Sequence, residues 1–172
     1  MHRRTLLSLF PLLAAAPLAG CGFRLRGVPQ FGFASLYVQA GAGSALAREL
    51  RRTLAASSDR LLLLTEPVQL PQAEVVLEIL SEQTERVVVG QSATGQVREL
   101  QLRLRLRFRL RGQDGREWIP ATELVQTRDI SYNETIALSK ESEETLLFRN
   151  MQTDLVQQLL RRLAAVKGPL RQ

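Results

Sequence analysis

A chain of 172 residues with 45% hydrophobic content is long enough for one ordinary domain with a real core, and too apolar for a disordered chain. Its net charge is +6, and all but Lys140 and Lys167 of its 23 basic residues are arginine. One Cys and one His, Cys21 and His2, exclude an intrachain disulfide and a Cys/His metal cluster.

The chain opens on an address. His2-Arg3-Arg4 precede an apolar run over residues 6–18, which is too short for a comfortable membrane span and is interrupted by Pro11 and Pro17. The run ends in Leu18-Ala19-Gly20-Cys21, the bacterial lipobox. The chemistry requires a thiol there, because diacylglycerol is attached through a thioether. Residues 1–20 therefore read as a lipoprotein signal peptide, and residues 21–172 as one mature domain tethered through Cys21. Several acyl chains would bury dozens of methylenes at about 0.8 kcal/mol each. Gly22 follows the Cys instead of Asp, which implies delivery to the outer membrane, facing the periplasm.

Residues 35–39, SLYVQ, have strand alternation, and Gly41 and Gly43 break it. Ser44 can N-cap a helix over residues 45–56, whose Leu46, Leu50 and Leu54 fall on one stripe. Residues 61–64, all leucine, predict a second, well-buried strand. The β-α-β order implies that the two strands are parallel. After Pro67 and Pro71, residues 73–89 alternate, with Val75, Leu77 and Ile79 on one side and Glu74, Glu78 and Glu82 nearer the other.

A turn-rich gap at residues 90–95 leads into ELQLRLRLRFRLR, residues 99–111. Leu100, Leu102, Leu104, Leu106, Phe108 and Leu110 share one parity; Gln101, Arg103, Arg105, Arg107, Arg109 and Arg111 share the other. A period of two is the strand period, so this is a long strand with one greasy and one cationic face. The greasy face demands a cover. The cationic face either takes an anionic partner or is cross-paired by Glu74, Glu78 and Glu82. The arginine preference itself follows from genomic base bias or from bidentate grip on phosphate and carboxylate. Residues 118–131 form a further strand, in which Pro120 signals an edge or a bulge. Residues 141–166 form the longest helix. Glu141, Glu143 and Glu144 at its start, and Arg161, Arg162 and Lys167 at its end, complement the macrodipole. Its stripe of Phe148, Met151, Leu155, Leu159 and Leu163 is the natural cover for the leucines. The expected fold is α/β (α+β): a two-layer sandwich with two helices on one face of a mixed sheet containing a long central hairpin.

No nucleophile–base pair, phosphate-cradling loop or metal-ligand spacing is present, so no catalytic residue, metal or cofactor is assigned. The lipobox leads away from nucleic acid. What remains is binding to an anion, and lipopolysaccharide is the abundant one at an outer membrane.

The start Cys21-Gly22-Phe23-Arg24-Leu25-Arg26, the element order, and Ala137-Leu138-Ser139-Lys140 before an acidic helix start resemble the LPS-assembly lipoprotein family LptE, also called RlpB. The resemblance implies a plug inside the lumen of an LptD-type β-barrel that helps load lipopolysaccharide into the outer leaflet. Lys140 falls on a basic position that the family links to lipopolysaccharide. The family's other basic position lies in the hairpin turn, in an Arg-Asn-Gly-Gln setting. Here the turn reads Ala93-Thr94-Gly95-Gln96, and Arg98 stands nearby as the substitute. The alternative is an envelope-scaffold lipoprotein that touches peptidoglycan or other envelope proteins.

Overall fold

The computed structural model describes residues 29–57, 60–132 and 137–170; the expected signal peptide, residues 1–20, and Cys21 lie outside the described residues. The elements are β1 (Ser35–Gln39), α1 (Ala45–Ser57), β2 (Leu62–Leu64), a 3-10 helix (Pro67–Gln72), β3 (Val75–Gln91), β4 (Val97–Gly112), β5 (Glu117–Ser131) and α2 (Ala137–Ala165). They build one mixed sheet in the order β2-β1-β3-β4-β5, parallel across β2-β1-β3 and antiparallel across β3-β4-β5. Both helices pack on the same face. The expected architecture and the parallel β-α-β opening are present.

The greasy parity of β4 is the floor of the core. Leu102, Leu106, Phe108 and Leu110 are fully buried, as are Met151, Leu155, Leu159 and Leu163 of α2 and Leu46, Leu50 and Leu54 of α1. These residues belong to one continuous cluster, so the leucine face of β4 is sealed by a helical layer. At 29 residues, α2 runs roughly 44 Å. Two ion pairs hold it from either side of β4. Arg86 of β3 lies 2.7 Å from Glu144, and Arg128 of β5 lies 2.8 Å from Asp154. Both arginines sit on the helix-bearing face, opposite Leu102 of β4.

Ser44 caps α1 as its sequence position predicts. Its Oγ accepts from the Ala47 N–H at 3.0 Å and donates to Glu82 at 2.8 Å. Ser44→Ala removes both contacts and is expected to cost about 1 kcal/mol, read as a drop of a few degrees in thermal denaturation. No change in Tm would mean that the cap is replaced by water at no loss.

Several expectations are corrected. The leucine run at residues 61–64 is not a well-buried strand. It yields a three-residue edge strand in which Leu62 is 61% exposed and Leu64 alone is buried. A run of identical residues carries no period, so burial could not be assigned to a face. The long helix starts at Ala137, one turn earlier than expected, and its first turn holds no acid. Glu141, Glu143 and Glu144 therefore stand beyond the turn where the macrodipole acts. Pro120 marks both an edge strand and a bulge, as expected: β5 is the last strand, and its register with β4 shifts between Phe108 and Leu110.

The most consequential correction is in β3. Its register with β4 shifts between Ile79 and Ser81, leaving Leu80 as the extra residue of a bulge. Before the bulge, Glu78 faces Arg109; after it, Glu82 faces Leu106. One inserted residue moves everything beyond it to the opposite face. Glu82 thus points toward the helices, and Glu85 takes its place opposite Arg103 on the outer face.

Candidate functional site

The outer face of the sheet carries the arginine ladder, and the acids of its neighbours flank it. Glu78 is 8% exposed and accepts from Arg109 Nε and, at 2.5 Å, from Arg111 Nε. Arg105 lies 3.4 Å from Glu85 and 3.8 Å from Glu123, one on each neighbouring strand. Arg103 donates to Gln101 at 2.7 Å, and Gln101 donates to Asp129 at 2.9 Å. Arg107 makes no ion pair among the described residues, although Glu123 is its register partner. Of the three glutamates expected to pair with the ladder, only Glu78 does so. Glu74 accepts from the Ala34 N–H at 2.7 Å, and Glu82 serves the α1 cap.

Electrostatics follows the geometry. Burial by itself raises the Glu78 carboxyl. The hydrogen bonds and charges of Arg111 and Arg109 outweigh it, and the group is held below its ordinary value of 4.5. Arg109 is raised in return, chiefly by its hydrogen bond to Glu78. Arg107 apart, each ladder arginine meets a carboxylate or the Gln101 amide, so the surface is largely cross-paired: the second of the two readings its sequence allowed.

Arg98 is not part of that ladder. The register passes from Gly90–Glu99 to Gln91–Val97 and leaves Arg98 as the extra residue of a bulge in β4, near the β3–β4 turn. It is exposed, and its Nη2 donates to Gln96 at 3.2 Å. Its carbonyl accepts from the Tyr132 N–H at 2.7 Å, which ties this end of β4 to the chain that leads into α2. The turn is closed by Gly95 at φ 81, a left-handed conformation that favours glycine.

Lys140 is the fourth residue of α2, in its first turn; its side chain lies outside what is described. Because β5 runs up to Glu99 before α2 begins, Arg98 and Lys140 share the hairpin end of the molecule. Sequence reasoning missed Arg86, which the bulge at Leu80 turns onto the helix-bearing face and whose side chain is 62% exposed beside buried Glu144. Alternation alone would have placed it there only if the bulge had been foreseen.

Among the described residues, no group of three acids, His or Cys is arranged for a metal ion, and no helix is long and apolar enough to cross a membrane. A cleft of about 460 Å³ opens where β1 stops beside β3, lined by Gly41–Ala45 and by Ile79–Glu82 and Thr84.

Comparison with known proteins locates this arrangement. No curated relative matches the chain. Among solved structures, lipoprotein B from Nitrosomonas europaea is 29% identical, covers 84% of this chain and 91% of its own, and superposes with a TM-score of 0.70. A minor lipoprotein from Acinetobacter baumannii (23% identical, 81% of this chain and 97% of that one, TM-score 0.64) has the same fold. So does rare lipoprotein B from Shewanella oneidensis (21% identical, 76% and 94%, TM-score 0.64). The lipopolysaccharide-assembly family LptE matches residues 29–163, nearly all of the described domain. The sheet, its two helices and this match make the chain a member of the LptE family of lipopolysaccharide-assembly lipoproteins.

Proposed function

We propose that the protein is an outer-membrane lipoprotein, anchored through Cys21 and facing the periplasm, that works with an LptD-type β-barrel to place lipopolysaccharide in the outer leaflet. It sits in the barrel lumen as a plug and contacts the glycolipid without catalysing a reaction. The observation that carries this reading is the family match over residues 29–163. The geometry supports it in two ways. Arg105, Arg109 and Arg111 of the ladder are paired with carboxylates of the neighbouring strands, so this part of the face needs little soluble counter-charge. The hairpin end gathers Arg98 and the first turn of α2 with Lys140, the positions that suit acidic sugars and phosphates.

The test is a pull-down of the full lipidated chain from native outer membranes, followed by glycolipid binding of charge-reversed variants. A barrel protein is expected to co-purify, and Arg98→Glu with Lys140→Glu is expected to weaken lipopolysaccharide binding roughly tenfold or more per position. A barrel-free, monodisperse protein would count against the plug. Indifference to both reversals would leave the plug and remove the glycolipid contact. Retention on peptidoglycan in place of the barrel would favour the scaffold alternative.

A further inference from the structure

Strand β3 is paired along its whole length by β4, but β1 covers its other edge only from Val75 to Glu78. From Ile79 to Gln91 no strand lies on that side among the described residues, so a row of outward backbone N–H and C=O groups stays open. Exposed edges of this length recruit further strands unless they are blocked. The opposite edge, β5, is obstructed at its start. It carries Pro120, and its Glu117 carbonyl accepts from the Leu170 N–H at 2.9 Å. The β3 edge has no proline and carries Val88 and Val89 at 45% and 47% exposure.

We propose that the β3 edge between Ser81 and Val88 is a docking edge, onto which an extended, uncharged segment of the barrel partner adds as a sixth strand. The partner's identity rests on the reading above; the edge does not. Bulges at Leu80 and near Val89 bound the straight portion, eight residues or roughly 26 Å of strand. Charge selects the occupant. Glu82 is held by Ser44, Glu85 by Arg105 and Arg86 by Glu144, so every ionisable group on this stretch already has an internal partner. A charged strand would find nothing to answer it, whereas an apolar or hydroxyl-bearing one keeps the backbone hydrogen bonds and covers Val88. The 460 Å³ cleft at the start of the edge receives a few residues of one extended chain under the Gly41–Ser44 loop, and not a second folded copy.

The test places a photo-reactive phenylalanine at Thr84 or Val88 of the full chain in cells, with Thr127 on β5 as the control. Adducts from Thr84 and Val88 are expected on one continuous stretch of the barrel protein without Asp, Glu, Lys or Arg, about four residues apart; Thr127 does not reach it. Val88→Lys is expected to cut the Thr84 adduct at least about tenfold with no change in Tm, because a lysine on an open edge blocks pairing. An unchanged yield overturns the proposal. So do an adduct at twice the chain's mass, scattered adducts, or none while the barrel still co-purifies; in these cases the barrel reading survives. Adducts from Thr84 and Val88 on a different protein, with no barrel recovered, overturn the partner assignment and the barrel reading together.

Discussion

Truncation of Phe108 to Ala is expected to lower stability by about 3–5 kcal/mol, or about 6–20 °C in Tm for a domain of this size. Phe108 is the largest of the fully buried side chains, and it stands on the leucine parity of β4 between Leu106 and Leu110. Its cross-strand partners are Ile79 and Thr122, and the helical layer closes over the same cluster. Removing the ring leaves a cavity between the sheet and the helical layer, neither of which can collapse without giving up contacts elsewhere. Arg107→Ala, one residue away on the exposed face, is the control and is expected to stay within about 0.5 kcal/mol. Thermal denaturation of both variants decides the matter. Equal, small shifts would mean that the leucine face is not sealed by the helices.

Glu78→Gln is expected to cost about 2 kcal/mol at neutral pH, about 4–8 °C in Tm, because two guanidinium groups lose one shared carboxylate. The pH dependence has a definite sign. The folded carboxyl sits below 4.5, so the unfolded chain takes up its proton first as acid is added. The contribution of Glu78 is fully present above about pH 4.5 and drains away as the pH falls through the lower folded value. The Tm curves of wild type and variant are therefore expected to run apart at neutral pH and to converge in acid. A constant gap down to strongly acidic pH would show that the loss is one of packing and not of charge.

Much of this fold is legible in the residues, and the reasons differ by element. The alternation of β4 is dictated by its two faces, so its parity can be read directly. The stripe of α1 and the cap at Ser44 are local chemistry and stand where they are expected. The bulge at Leu80 has no local signature, since Ile79-Leu80-Ser81 reads as an ordinary strand; only the register with β4 reveals it. That single residue misplaced Glu82 and hid Arg86. The leucines of β2 lack a period, and the helix start at Ala137 comes directly after Ile136, which is not a capping residue type. Arg98 and Lys140 are a different case. Nothing in their spacing marks them, and only likeness to the family singled them out. Their place at one end of the sheet comes from the topology.

The ladder between Glu78 and Glu123 has an effect at a distance. Positive and negative rungs alternate across three adjacent strands only about 5 Å apart, so their potentials largely cancel one strand-width above the surface. A multipole of this kind fades faster than the field of a lone ion, well inside the ~8 Å screening length of physiological salt. Despite its row of arginines, this side of the sheet can lie close to a wall of either sign without strong attraction or repulsion. Long-range steering of an acidic molecule then falls to the cations outside the ladder.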